Sequence, residues 1–237
     1  MSAFIFSKLY LIISCIDIMY NLLMKIKYLE SVDSTHTYLK NLIKTNSYEE
    51  PICIYTNYQT NGIGSRGNSW EGIEGNLFFS FALDNTLLPK DLPIQSASIF
   101  FSYILKKVLE DEGSKVWLKW PNDFYIDDKK IGGTITSISS GILYCGVGLN
   151  LKKVNDDFGS LDISIDCHKV LNEYFDLLSS IHSWKNVFSE FKIEFEKSRK
   201  FKATINNKKI SLQKAILTDD GSIQIDDTKV YSLRWRK

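Results

Sequence analysis

Lys119-Trp120-Pro121-Asn122-Asp123, followed closely by Asp127-Asp128-Lys129-Lys130-Ile131-Gly132-Gly133, is the stretch on which the reading of this chain turns. Lys115 to Trp120 reads as a strand that stops at Pro121, because proline has no N–H to give a ladder, and Asn122-Asp123 turns the chain. Phe124 to Ile126, Ile131 to Ile138 and Ile142 to Leu151 follow as strands joined by tight turns. Upstream, Leu92 to Leu109 carries apolar residues at helical spacing and is ended by Gly113, while Asn76 to Leu83 is dense in Leu and Phe, a buried strand. Further out, Lys25 to Glu30 alternates as a strand, Asp33 and Ser34 are good caps for a helix from about Thr35 to Lys44, and Pro51 to Tyr55 is a second strand. Tyr58 to Gly75 is glycine-rich and aperiodic, a loop. Towards the C-terminus, Val170 to Lys197 predicts a helical pair broken near Ser183. From Phe201 onward short strands alternate with Asn-Asn, Asp-Asp-Gly and Asp-Asp turns, a small β module. The mixture is α+β.

Four groups of residues carry chemistry. In the central stretch, a carboxylate and an amide at a strand end can hold Mg²⁺ or a ribose, and Lys130 is a mobile charge able to neutralise a carboxylate that attacks a phosphate. Taken alone, the same residues read as a hairpin with a solvated charged turn. The second group is Gln59-Thr60-Asn61-Gly62-Ile63-Gly64-Ser65-Arg66-Gly67-Asn68-Ser69-Trp70. Its glycines let backbone N–H groups approach an anion, Arg66 offers a fixed fork for phosphate or carboxylate, and Trp70 can stack on a flat ring. A glycine loop is more often only a loop. This one is neither a Walker A motif, lacking the Lys-Ser/Thr pair, nor a dinucleotide fingerprint, since no helix follows it. The third group, Ser31-Val32-Asp33-Ser34-Thr35-His36, is a helix cap whose hydroxyls can also serve a small polar ligand. The fourth is Gly146-Val147-Gly148-Leu149-Asn150-Leu151, where strand glycines permit close backbone approach and Asn150 offers an amide.

The whole composition narrows the setting. The 237 residues are 44% apolar and 24% charged, ordinary for a soluble chain of one sizeable domain or a main domain plus a small one. With 29 basic and 28 acidic side chains, a net charge of +1 gives no broad footprint for DNA or membrane. Cys15, Cys53, Cys145 and Cys167 lie far apart and read as small buried hydrophobes in a reducing cytoplasm, and His36, His168 and His182 form no metal spacing, the last two expected on helices without chemistry. The apolar run Leu9 to Ile16 is bounded by Lys8 and Asp17, too short to span a bilayer. Ile12-Ile13-Ser14-Cys15 resembles a lipoprotein cleavage site only faintly. Met24 directly precedes the first clean strand pattern, so residues 1–23 are expected to be a dispensable extension, which N-terminal sequencing of the native protein checks.

Each group is modest, but their joint order is specific. Asp-Ser-Thr, then Gln-x-x-Gly-x-Gly-x-x-Gly-x-x-Trp, then Gly75-Asn76-Leu77, then Lys-Trp-Pro-Asn-Asp, then Lys-x-x-Gly, then Gly-x-Gly-x-Asn strongly resembles the biotin protein ligase family, from about Lys25 to Leu151 plus the small β module. The resemblance implies a mixed β-sheet packed with helices, of the class II aminoacyl-tRNA synthetase-like kind, in residues 24–199, and a small SH3-like β barrel in residues 200–237. It implies condensation of biotin with ATP and Mg²⁺ to biotinyl-5′-adenylate, then transfer to a lysine of a biotin carboxyl carrier protein, by a cytoplasmic monomer or homodimer. Carried over by motif, Ser34, Thr35, His36, Gln59, Gly62, Gly64 and Ser65 fall at biotin. Arg66, Gly67, Trp70, Asn122, Asp123 and Asn150 fall at ATP, with Asp123 also a candidate Mg²⁺ ligand. Lys130 bridges the biotin carboxylate and the α-phosphate, and Lys130 and Arg66 are the catalytic candidates.

The chain departs from the family pattern in its loop. Where members usually read Gly-Arg-Gly-Arg-x-Gly-Arg, the arginine positions are Ile63, Ser65 and Asn68, and only the variable one, Arg66, is charged; His36 replaces the usual Asn. Each lost arginine removes a charge-assisted contact worth roughly 1.5–3 kcal/mol. Arg66 is therefore expected to take over part of that role, and the adenylate to be held less tightly than in typical members. Three other readings are open at this point. A lipoate or octanoate ligase of the same fold usually carries an Arg-Arg-x-x-Gly-Gly-Gly loop that this sequence lacks. A DNA-binding repressor needs a helix-turn-helix domain, for which the apolar N-terminal residues are poor material. A non-catalytic biotin-binding module fits the lost arginines but not the retained Lys130 and Asp123.

Overall fold

The computed structural model describes residues 23–46, 51–64, 69–70, 73–153, 155–205 and 208–231. Cys15, most of the N-terminal extension and Ser65, Arg66, Gly67 and Asn68 lie outside the described residues. In chain order come β1 (Lys25–Tyr28), α1 (Thr35–Asn46), β2 (Ile52–Thr56), β3 (Gly62–Ile63), β4 (Ser69–Trp70), β5 (Leu77–Asp84), α2 (Ala97–Asp111), β6 (Trp117–Lys119), β7 (Asp123–Ile126), β8 (Lys129–Ser139), β9 (Ile142–Leu149), α3 (Cys167–Ser180) and α4 (Trp184–Ser198). Seven strands make one mixed sheet in the order β1-β2-β5-β9-β8-β7-β6. β1 and β2 are parallel, with α1 as the crossover between them; the remaining neighbours are antiparallel.

The two faces of the sheet follow from the period-two alternation of its strands. On one face Leu77, Phe79, Phe81 and Leu83 of β5 join Cys145, Val147 and Leu149 of β9 in the main core, under α2, α3 and α4. On the other, Ala82 and Tyr144 meet Leu39 and Ile43 of α1 in a smaller cluster. Helix α1 covers only part of that second face, and the uncovered remainder holds the pocket described below. The thiols of Cys53 and Cys145 are fully buried, and burial pushes both well above the usual thiol range.

Several boundaries differ from expectation for local reasons. Helix α2 starts at Ala97 rather than Leu92, because Pro93 holds the preceding residue out of the helical region, and a 3-10 turn at Ile94–Ser96 leads in. The break between α3 and α4 comes at residues 181–183, so His182 lies in that break and not on a helix; His168 is on α3. Helix α4 is capped from a distance: the Asp91 carboxylate accepts the N–H groups of Trp184 at 2.9 Å and Lys185 at 3.1 Å. The stretch read as a loop, 58–75, contains the short β3–β4 hairpin, which pairs Gly62 with Trp70.

The C-terminal β module is a hairpin of β10 (Lys202–Ile205) and β11 (Lys208–Ser211) followed by a three-stranded antiparallel sheet, β12 (Ile216–Leu217), β13 (Ile223–Ile225) and β14 (Thr228–Val230). It is docked on the larger unit, not merely tethered. Phe201 packs on Trp117 and Tyr125 at ring distances of 5.4 and 5.3 Å. The indole N–H of Trp120 donates to Gly221 O at 2.9 Å, and that of Trp184 to Asp219 O at 3.0 Å. A hydrogen-bonded indole that is also buried ties position and burial together. No helix among the described residues is long and apolar enough to cross a membrane.

Candidate active site

The pocket opens on the sheet face that α1 leaves bare. Its floor is backbone: Gly146 and Gly148 of β9 stand in register with Ser80 and Phe78 of β5 on one side and with Ile135 and Gly133 of β8 on the other. Glycine is needed at two of these positions. A Cβ on Gly148 would sit 3.0 Å from Trp70 Cε2, and one on Gly146 would sit 3.2 Å from His36 Nδ1 and from Ser80 Oγ.

One end of the pocket is neutral and polar. Thr35 donates from both its backbone N–H and its hydroxyl to Gln59 Oε1, at 2.7 and 3.0 Å, and its Oγ1 lies 2.8 Å from Ser80 Oγ. Ser34 caps α1 through its side-chain oxygen, which accepts the Thr37 N–H at 3.4 Å. All four side chains are buried, so their hydrogen-bonding capacity is held in fixed directions inside the protein. His36 lines the same end. Burial, with the Lys40 ammonium one turn further on, pushes its imidazole down to about 4, so the ring is neutral near pH 7. Its Nδ1 is buried without a hydrogen-bond partner among the described residues.

The other end is charged. Lys130 Nζ lies 2.6 Å from Asp123 Oδ1 and 5.7 Å from the centre of the Trp70 ring. Lys119, nearly buried behind it, lies 3.7 Å from Asp123 Oδ2. Burial pushes the Lys119 ammonium below the usual lysine range, with Asp123 opposing that shift and Lys130 adding to it. The Trp70 indole N–H is buried and unpartnered among the described residues. Phe158, in the segment after β9, closes this side through a bridge to Lys130. The site thus offers neutral hydrogen-bonding groups for a polar ring at one end and a positive charge beside a flat aromatic surface at the other.

Ser34, Thr35, His36, Gln59, Gly64, Trp70, Asn122, Asp123 and Lys130 all line this one pocket, although they come from three separate stretches of chain, 34–36, 59–70 and 122–130. Among the described residues, two sequence candidates stand outside its lining. Asn150 is buried with its amide held by Asn76 at 3.4 Å and Gly159 O at 3.2 Å, so it anchors the turn after β9. Gly62 lies behind Trp70, where a Cβ would sit 2.7 Å from Trp70 O. Five lining residues escaped the sequence reading: Phe78, Ser80, Thr134, Ile135 and Phe158. Ser80 had a signal, a hydroxyl in the middle of the apolar run Leu77 to Leu83. Phe158 had none.

Magnesium fits poorly as a resident ion here. Asp123 is the carboxylate at the charged end, and both of its oxygens face ammonium groups. No cluster of three His, Cys, Asp or Glu side chains among the described residues can hold a metal ion. Asp123, the carboxylate expected to meet Mg²⁺, is here the partner of two lysines.

Comparison with known proteins agrees with this geometry. The chain is 36% identical to biotin acetyl coenzyme A carboxylase synthetase from Helicobacter pylori, solved with bound biotinylated ATP; the match covers 88% of this chain and 99% of that one, with a TM-score of 0.83. It shares its fold with biotin protein ligase from Aquifex aeolicus, solved with biotin and ATP, at 23% identity and a TM-score of 0.66, over 87% of this chain and 94% of that one. Among curated sequences it is 30% identical over 133 residues to biotin–protein ligase 2 of Arabidopsis thaliana, which covers 51% of this chain and only 38% of that protein. The region carrying β1 through β9 is also what a family model recognises: Biotin/lipoate A/B protein ligase matches residues 28–150, more than half of the chain, and the chain belongs to that family.

Proposed function

We propose that this protein is an ATP-dependent biotin protein ligase, with residues 24–199 as the catalytic domain and 200–237 as a docked β appendage. The observation that carries this reading is the two-ended pocket, with the Thr35–Gln59–Ser80 cluster at one end and Lys130 beside Trp70 at the other. In the first step a biotin carboxylate oxygen attacks the α-phosphorus of MgATP, forming biotinyl-5′-adenylate and releasing pyrophosphate. Two anions must meet, so the contribution of the protein is positioning and charge neutralisation, and Lys130 supplies the charge. Thr35, Gln59, Ser80 and neutral His36 hold the ureido end, and Trp70 packs along the intermediate. In the second step a lysine amine of a biotin carboxyl carrier domain attacks the acyl carbon, and AMP leaves. Among the described residues, 135–139 of β8 ladder only with β9, because β7 reaches no further than Gly133; this open edge suits pairing with a carrier strand. By its resemblance to the family loop, the segment 62–67 covers the adenylate and excludes the water that hydrolyses an acyl-adenylate.

Biotin-dependent ATP–pyrophosphate exchange tests the reading. Exchange that requires biotin, and that falls at least tenfold in Lys130→Ala, is the expected result. Exchange with lipoate or octanoate but not biotin moves the protein to the sister activity of its family. No exchange with any of these acids makes it a binding module.

A further inference from the structure

The surroundings of Asp123 are unusual for a nucleotide-site carboxylate. Its Oδ1 meets Lys130 at 2.6 Å and its Oδ2 faces Lys119 at 3.7 Å. The Lys119 side chain is 11% exposed, and its ammonium lies 5.3 Å from the Tyr125 ring and 5.9 Å from the Phe201 ring. Phe201 enters the C-terminal β module and packs against Trp117 and Tyr125, so the brace behind Lys119 is built from both units of the molecule. A continuous row therefore runs from Phe201 through Lys119, Asp123 and Lys130 to the face of Trp70. With two ammonium groups to one carboxylate the row is net positive. It repels a free divalent cation and suits the phosphates of a nucleotide. A lysine on its four-carbon stem has many rotamers, and a short ion pair holds it in one place.

We propose that Asp123 and Lys119 are positioning residues for Lys130, braced by Phe201, and that magnesium reaches the site on the phosphates of the nucleotide rather than on Asp123. The proposal rests on the ligase reading and adds to it how the lysine is aimed and why the C-terminal module touches the site. Lys119 touches no reacting atom; it keeps Asp123 from turning away, and Asp123 keeps Lys130 over the pocket.

The test uses the full chain and follows biotin-dependent ATP–pyrophosphate exchange against MgCl₂ at fixed ATP. Lys119→Met and Asp123→Asn are expected to lower the maximal rate about tenfold while leaving biotin affinity and the magnesium half-saturation unchanged. Lys119→Arg is expected to recover most of the rate, and Phe201→Leu to lose about threefold. A magnesium half-saturation that rises several-fold in Asp123→Asn, with full rate regained at high magnesium, makes Asp123 a metal ligand and overturns the proposal. So does a wild-type rate in Lys119→Met. A second measurement is independent of turnover: lysines of the apo protein are labelled with acetic anhydride and read by peptide mass spectrometry. Labelling of Lys130 is expected to rise several-fold in Asp123→Asn and Lys119→Met but not in Lys119→Arg, and unchanged labelling also overturns the proposal. If wild type shows no exchange at all, the ligase reading fails, and the labelling still decides whether the row positions Lys130.

Discussion

The two ends of the pocket are built on different principles. The neutral end is made from the start of α1, the middle of β5 and the loop after β2: Thr35 and Gln59 are joined by hydrogen bonds of 2.7 and 3.0 Å, and Ser80 lies 2.8 Å from the Thr35 hydroxyl, all buried. Nothing in that cluster carries charge, and His36 beside it is held neutral by burial. The charged end is half-open, relies on ion pairs, and draws support from a second unit of the chain through Phe201. The contrast follows from what each end has to bind. A neutral heterocycle is recognised by preset donors and acceptors whose cost of organisation is met on folding. A reaction between anions needs a charge that stays hydrated enough to exist yet is aimed well enough to act, and one rigid sheet does not provide both.

The comparison predicts that substitutions at the charged end act on rate and those at the neutral end on affinity. The largest effect is expected from Lys130→Ala, a loss of about a hundredfold in maximal exchange with biotin binding nearly intact, measured by exchange and calorimetry side by side. Equal losses in both would break the division.

Next comes the pH dependence of stability that His36 imposes. Its imidazole sits at about 4 in the folded chain against 6.5 when unfolded. Between those values the unfolded state binds more protons, so stability rises with pH across that window and is lost as pH falls through it. The contribution is about 2 kcal/mol between pH 7 and 4.5. Denaturant midpoints of wild type and His36→Gln at those two pH values isolate it, and a parallel pair of curves contradicts it.

Gly148→Val is expected to cost about tenfold in exchange. Its first side-chain atom already meets Trp70 at 3.0 Å, and the added methyls displace the indole from the sheet. Quenching of the indole fluorescence by ATP reports the displacement. Smallest is Ser80→Ala, which removes the hydroxyl 2.8 Å from Thr35 and weakens biotin binding about fivefold without changing the exchange rate at saturation. A change in saturated rate there places Ser80 nearer the chemistry than the neutral end allows.

Much of the fold was legible in the sequence because local rules decided it. The buried strand at Leu77 to Leu83, the cap at Ser34 and the break near Ser183 all fall where periodicity and turn chemistry place them. Expectation failed in two places: Pro93 delays the start of α2 to Ala97, and the glycine-rich stretch gains a hairpin because Gly62 can lie against Trp70. In the site, the motif residues Ser34, Thr35, Gln59, Asn122, Asp123 and Lys130 were identifiable from their order alone. Asn150 was named for its amide, and sequence does not show that this amide ties down Asn76 and Gly159.

By itself, the sequence determined the buried strand at Leu77 to Leu83, the glycines that keep the floor bare, and the identity of the lysine at the charged end. These are consequences of residue type and spacing, which act over a few positions. Only the tertiary structure decided that Ser80 meets Thr35, that Phe158 closes over Lys130, and that Phe201 braces Lys119 across 82 positions of chain. Those contacts depend on strand order and on the docking of the C-terminal module. Strand order and docking are properties of the whole packed chain, set by buried area and hydrogen bonds between elements, and no local pattern encodes them.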